Sequence, residues 1–435
     1  MKSLLVISPL DYKWEANQRV HYIVRYLGKR FNKVVVICFK MPNNSSFRAW
    51  FKDSLFIRIR SSEEDNIRFI EVNPFINWPE SLGKKLSGFP NVTASSSPFS
   101  WKAFLSKGLN LLGLTKAILF IISYLLVSFT RLRGRVFDVC VVEGALTGIV
   151  GLLIRRAGRT RLLICEDCDY TPGDLPSRLR TRLTAWLEKH CMERADLVIS
   201  AGEMLGELRR SQIKNKNIVV IPNGVHHERF FVAQKKRPHP PTLVYMGNIT
   251  DWTGLDFTIS VLPKICEKLR DVRLLIIGHG YPQYIIKLKQ MVEGLDLVDH
   301  VKFLGFKSYE ELPYCLKEAD LGLANFRPIP LLIYAYPLKV LEYMAAGLPV
   351  IGTKGTETEK MLLKFRSGVA IDFGDEEALC NSITSLLIDR IRYKEYSENA
   401  KRWARDLSWD KAMEKEYHYI KDRFETLVTR KILSA

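Results

Sequence analysis

Short runs of almost wholly apolar residues recur along this 435-residue chain, and they restrict its fold more than any other feature. They read Leu4 to Ser8, Val34 to Cys38, Val139 to Val142, Leu162 to Cys165, then ADLVIS, IVVIPNG, LVYMG, RLLIIG, VKFLGF and LPVIG. Runs of this length, apolar on both faces of the pleat, suit strands of a parallel sheet covered by helices on each side. Helical stretches separate most of them, as around Val20 to Leu27 and Leu146 to Ile154. The pattern predicts an α/β chain of doubly wound sheets, and 435 residues suit two domains of about 200 residues each.

Charge is unevenly spread. Residues 1 to 231 carry 35 Lys and Arg against 20 Asp and Glu, a net +15 out of +18 for the whole chain. A basic surface therefore belongs to the first half, and an anionic membrane or nucleic acid are the two partners such a charge fits. No nucleic-acid motif accompanies it, so nucleic acid is not expected. Eight scattered cysteines in mostly apolar surroundings read as buried thiols in a reducing compartment. Cys165 and Cys168 form a lone CxxC without the second pair a zinc ribbon needs. The apolar run after Met1 is too short for a signal peptide and reads as a first strand.

Residues 41 to 100 read as irregular, with MPNNSS, SSEED and NVTASSSPFS, apart from a short strand around Ile67 to Val72. The most apolar stretch follows, Leu109 to Phe129, interrupted by Lys116 and flanked by Lys102, Lys107, Arg131, Arg133 and Arg135. It is too short between charges to span a bilayer. Two readings fit: a helix under the first sheet, or one lying in the interface of an anionic membrane, and one helix can satisfy both with opposite faces.

The second half holds the stretch Tyr336 to Gly352, YPLKVLEYMAAGLPVIG. It predicts a helix, a turn at Gly347 and Pro349, and a buried strand. Val340, Leu341, Met344 and Ala345 share an apolar side, leaving Lys339 and Glu342 free to face a cleft. That pair is a solvated (i, i+3) couple on an ordinary helix, or a site for a ligand with phosphate at one end and a diol at the other.

This stretch resembles the nucleotide-binding signature of the family-four retaining glycosyltransferases, whose GT-B architecture sets two Rossmann-like doubly wound domains facing each other across a cleft. ERADLVISAGEM, VVIPNGVHHERF and a late amphipathic helix follow the family in order and spacing. The resemblance implies that Glu342 holds ribose hydroxyls of a nucleotide sugar, with Pro337 and Lys339 against the donor. The family's partner glutamate is replaced by Tyr334, and the Arg and Lys that clamp the diphosphate by Asn248 and Thr253. Lys339, Lys354 or backbone N–H groups at Gly254 are then expected to compensate.

The same resemblance implies donor contacts at Gly247, Asn248, Thr253, Gly254, Gly278, Gly280 and Phe306, the glycines letting a nucleotide approach the backbone. Catalytic expectations are Lys339, Arg19 as a phosphate contact, and Asp169 near the acceptor or transferred sugar. Asp167 and Asp169 form a DxD that in another glycosyltransferase architecture holds a divalent metal, but no metal or other cofactor is implied here. Glu143 stands where many relatives have histidine near the sugar. His226 and His227 read as exposed loop residues. The expected domains are 1–231 on the acceptor side, a linker 232–241 that contains QKKRPHPP, a nucleotide-sugar domain 242–408, and a helix 409–435 crossing back.

Together these features imply transfer of a sugar, with retention, to a lipid-linked or membrane-surface glycan such as a polyprenyl-diphosphate glycan. The expected location is cytoplasmic, peripheral on the inner face of a membrane. A catalytically silent partner in a glycan-assembly complex and a sugar-nucleotide epimerase are the alternatives.

Overall fold

The computed structural model describes residues 1–11, 18–39, 58–73, 117–171, 178–215, 217–231 and 240–433. The chain divides into two compact units. One comprises Met1–Ser200, Arg209–Val219 and Glu416–Ala435, the other Ala201–Leu208 and Val220–Lys415.

Among the described residues the first unit has eight strands: β1 (Ser3–Asp11), β2 (Lys33–Phe39), β3 (Arg58–Glu64), β4 (Ile67–Asn73), β5 (Phe137–Glu143), β6 (Thr160–Asp167), β7 (Leu197–Ser200) and β8 (Ile218–Val220). They lie in the order β3-β4-β2-β1-β5-β6-β7-β8. The pairs from β4 through β7 are parallel, and β3 pairs antiparallel with β4. The apolar runs at β1, β2, β5 and β6 are buried on both faces, as their composition requires.

One expectation is corrected here. SSEED does not form a loop: it supplies most of the edge strand β3. Glu64 pairs with Ile67, so Asp65 and Asn66 make a two-residue hairpin turn, with Asp65 at φ 55°. An edge strand leaves one side open to water, which lets a charged segment join the sheet.

Residues 109–116 of the apolar stretch lie outside the described residues, as does most of the expected linker. Residues 117–131 form a helix with two faces. Tyr124 and Val127 are buried in the core beneath the sheet, while Ile118, Ile122 and Leu126 are exposed. No described helix is long and apolar enough to cross a membrane.

The second unit holds β9 (Thr242–Met246), β10 (Arg273–Ile277), β11 (Val301–Gly305), β12 (Leu321–Ala324), β13 (Val350–Thr353) and β14 (Gly368–Ile371), in the order β11-β10-β9-β12-β13-β14. Neighbouring strands are all parallel. Strand order reverses between β9 and β12, and the carboxyl ends of strands at such a switch point are where doubly wound sheets hold ligands.

The units differ from the expected boundaries. The second unit begins at Val220, the last residue of β8, and also takes in Ala201–Leu208. The physical reason is Glu357, whose carboxylate accepts hydrogen bonds from the amides of Glu203 and Met204 at 3.0 and 2.7 Å, capping the helix Glu203–Gln212. Val225 donates to Leu407, and Gly224 lies so close to Trp409 that a Cβ would meet its backbone nitrogen at 2.4 Å. In the last helix, Trp409–Leu433, the residues from Glu416 onward belong to the first unit.

The glycines after β9 and β10 have a structural cause. Gly278 has φ 137°, and a Cβ there would meet the Gly247 carbonyl at 1.9 Å; one on Gly280 would meet the Ile249 carbonyl at 1.9 Å. The two loops are bonded backbone to backbone, from Gly247 to Ile277 at 2.9 Å and from Ile249 to His279 at 2.8 Å. The glycines thus serve contact between strand ends before any ligand is considered. Gly278→Ala is expected to cost about 2–4 kcal/mol, read as a lowered midpoint in chemical unfolding, because neither partner is a movable side chain.

Candidate functional site

The helix Leu338–Ala346 places the two residues singled out in the second unit. Pro337 caps its start in an extended conformation, and its end is a Schellman turn: Gly347, at φ 76°, donates to Met344, and Leu348 donates to Tyr343. Val340, Leu341, Tyr343, Met344, Ala345 and Ala346 are buried. Tyr343 anchors the helix, its hydroxyl accepting from the Met246 amide at 2.9 Å and its ring filling the space above Gly322.

Lys339 and Glu342 remain half-buried on the other side. Lys339 Nζ reaches the switch point. It donates to the Tyr245 hydroxyl at 3.1 Å and lies 4.3 Å from the Tyr245 ring centre and 4.9 Å from that of Phe326, just after β12. A Cβ on Gly247 would lie 2.7 Å from this nitrogen, so the glycine keeps the ammonium in reach of the loop. Burial lowers Lys339 to about 7, opposed by the carboxylate of Glu342. Burial likewise raises Glu342 to about 7, opposed by Lys339. Among the described residues they form no direct ion pair, and burial disfavours the charged form of each until a group of opposite charge arrives.

The other expected donor residues divide. Gly247 and Asn248 are exposed, and Asn248 uses its carbonyl to accept from Tyr245. Gly278 donates its amide to Gly305, beside Phe306, which is 69% exposed and meets the His279 ring edge-on at 5.6 Å. Gly254, at φ 75°, starts the helix Leu255–Lys268, and a Cβ there would meet the Asn325 carbonyl at 2.3 Å. Thr253 is a correction: it is buried, and its hydroxyl donates to the Thr250 carbonyl at 2.6 Å, so its side chain offers nothing to a donor.

Lys354 is exposed and paired with Asp372 at 2.8 Å. A cation that the sequence reasoning missed stands nearer the turn that lacks the family's Arg and Lys. Arg327 donates to the Asp251 carbonyl at 2.8 Å and to Asp256 at 2.7 Å. Its position just after β12 gives no sign in the sequence of its reach back to residues 251–256.

Arg19, in the first unit, is the clearest correction. It is buried and bridges two buried carboxylates, Glu166 at 2.7 Å and Glu416 at 2.8 Å, which removes it as a phosphate contact. The second oxygen of each glutamate is also buried and, among the described residues, lacks a hydrogen-bond partner. One arginine neutralises one carboxylate, so burial and mutual repulsion raise Glu416 to about 8, with Arg19 opposing, and a proton is retained. Beside this cluster at the β1/β5 switch point, Ser8 donates to Glu143 at 3.2 Å; burial raises Glu143 to about 7, opposed by that hydrogen bond.

Asp169 stands exposed beyond β6, but its DxD partner does not. Asp167 is buried beneath Arg209, which contacts both its oxygens, and accepts from Ser200. The motif therefore does not turn two carboxylates toward one ion. Among the described residues no three His, Cys, Asp or Glu side chains converge on a possible metal position. His226 and His227 are half-buried, and His227 is tilted against Phe231 at 5.4 Å rather than extended into solvent.

Two family models match in succession: "Glycosyl transferase 4-like domain" over residues 16–224 and "Glycosyl transferases group 1" over residues 227–403. This chain belongs to the family-four-like glycosyltransferases. Among curated relatives, the GDP-mannose-dependent alpha-(1-6)-phosphatidylinositol monomannoside mannosyltransferase of Mycolicibacterium smegmatis is 27% identical over 197 residues, covering 43% of this chain and 51% of the relative. The chain spans about half the length of the curated relatives it first matches. Among solved structures, sucrose-phosphate synthase from Thermosynechococcus elongatus aligns with a TM-score of 0.72 at 16% identity, covering 98% of this chain and all of that one. HepE from Anabaena, solved with UDP, aligns at 0.68 and 16% identity over 97% of this chain and all of its own. These glycosyltransferase neighbours establish the GT-B fold class for the two parallel-sheet units.

Two outcomes follow. A diphosphate beside Lys339 favours its ammonium, so a nucleoside diphosphate added at pH 8 should take up a proton; calorimetry in buffers of different ionisation enthalpy should reveal this, and Lys339→Met should abolish it. Arg19→Met should cost about 3–5 kcal/mol at pH 8 by leaving buried carboxylates unneutralised. An unfolded glutamate loses its proton well below pH 8, so the stability linked to protonated Glu416 is present in acid and lost as pH rises toward about 8. The deficit of Arg19→Met should accordingly shrink at pH 5 in urea titrations.

Proposed function

We propose that this chain transfers a sugar from a nucleotide-sugar donor, with retention of anomeric configuration, to a lipid-linked or membrane-surface glycan. The observation that carries this reading is Lys339 and Glu342, held half-buried and one helical turn apart at the β9/β12 switch point. Glu342 accepts hydrogen bonds from the ribose hydroxyls, and Lys339 meets the diphosphate. Charge-assisted hydrogen bonds in a partly dry site favour the negative charge that develops as the diphosphate departs. Arg327 and the start of the helix Leu255–Lys268 assist on the turn that lacks the family's two cations.

In this mechanism the acceptor hydroxyl oxygen bonds to the anomeric carbon from the face that the diphosphate oxygen leaves. The hydroxyl proton passes to the departing phosphate, and no covalent enzyme intermediate forms. Asp169 and the half-buried Glu143 contact the acceptor or the transferred sugar in the first unit. A lipid-linked acceptor is supported by the mycobacterial relatives named for phosphatidylinositol mannosides and by the basic first half of the chain. The silent-partner reading draws on the inward-turned Thr253, which replaces a donor-clamping cation.

The test is incubation with labelled nucleotide sugars and short-chain polyprenyl-diphosphate glycans, with the product's anomeric configuration read by NMR. Retained configuration, with a rate at least about 100-fold lower in Lys339→Met, is the expected result. Inversion would contradict the mechanism, and donor binding without transfer to any acceptor would favour the silent partner.

A further inference from the structure

The first unit carries an outward surface that sugar transfer itself does not require. Residues 117–131 and the helix Arg178–Arg194 cover the same face of its sheet: Tyr124, Val127 and Met192 share one core with Leu5, Cys140 and Leu163. Each helix has a second apolar side turned away from that core. On the first, Ile118, Ile122 and Leu126 are 47%, 44% and 47% exposed; on the second, Leu179, Leu183 and Trp186 are 69%, 37% and 58% exposed. Spacings of three and four residues align each set as a stripe opposite the buried side. Single exposed apolar residues are ordinary, but two stripes on one layer need an occupant.

The charges indicate which. Residues 117–131 contain no acidic residue and end at exposed Arg131, followed by exposed Arg133. On the second helix, Arg178, Arg182 and Lys189 are exposed around the stripe. Its acids are withdrawn: Glu188 is buried and held by Arg209 at 2.8 Å, and Glu193 faces Lys189 at 4.0 Å. Aliphatic side chains, an exposed tryptophan and a cationic border are the composition of a surface seated at a lipid interface. A bilayer also accepts scattered cations without needing one matched partner for each.

We infer that this helical layer docks on an anionic membrane, its two stripes entering the headgroup boundary and the arginines meeting lipid phosphate. The inference extends the membrane-surface acceptor reading but does not depend on it, because the layer would bind lipid whatever the acceptor.

The test is flotation of the full chain with phosphatidylcholine vesicles, with and without phosphatidylglycerol. Binding to the anionic vesicles should be at least about 10-fold stronger and should weaken in 0.5 M salt, a concentration at which the Debye length is only about 4 Å. The double variant Leu183→Glu/Trp186→Glu, the milder Trp186→Ser, and Ile122→Glu should each reduce it, the double variant by about 10-fold, with thermal melting and nucleoside-diphosphate binding unchanged. Equal binding to neutral vesicles, no binding by the parent chain, or variants that bind as the parent does would overturn the proposal. So would a parent chain that self-associates without binding lipid, with the variants monomeric, because the layer would then be an interface between copies. Transfer to a water-soluble acceptor by a chain that still floats with vesicles would refute the lipid-linked acceptor and leave this inference standing.

Discussion

The placement of Lys339 and Glu342 depends on the packing of Tyr343. Its ring fills the space left by Gly322 on β12, and its hydroxyl accepts the Met246 amide at the end of β9. One side chain thereby ties the helix Leu338–Ala346 to both strands that flank the switch point. Lys339 and Glu342 inherit their positions from that anchor, and the Schellman turn at Gly347 returns the chain directly into β13. The site is therefore built on regular elements, which hold side chains more closely than loops do.

A different constraint governs the first unit. Arg19, Glu166 and Glu416 are brought together from the start of the chain, from β6 and from the last helix, all buried. Removing charges from water is costly, and a buried pair repays that cost only with good geometry and full hydrogen bonding. Here two glutamate oxygens have no partner among the described residues, and proton retention relieves the excess negative charge. The cluster fastens the end of the chain to the first unit, while Ser8, Glu143 and Asp169 remain nearby at strand ends.

Most of the architecture was legible from local patterns. Apolar runs mark the parallel strands because burial on both faces leaves little room for polar residues, and the turn after Ala346 announces itself through Gly347 and Pro349. The edge strand β3 was not legible, since an edge needs no apolar alternation. Lys339 and Glu342 were visible because helical periodicity puts them opposite the core. Arg19, Thr253 and Arg327 were misjudged or missed for one shared reason: each role is set by a partner distant in sequence or by inward rotation, and neither is encoded in a residue's neighbours. The glycines at 278 and 280 stand out in the sequence, but their close contacts with Gly247 and Ile249 arise only because the fold lays two loops side by side.

Calorimetric titration with a panel of nucleoside diphosphates, run on the parent chain and on Glu342→Ala, tests the central claim most directly. The account predicts micromolar binding of one diphosphate, weakened at least about 30-fold in the variant as a hydrogen-bonded carboxylate is lost. Folded parent protein that binds none of them, or a variant that binds as tightly as the parent, would contradict the assignment of the donor site.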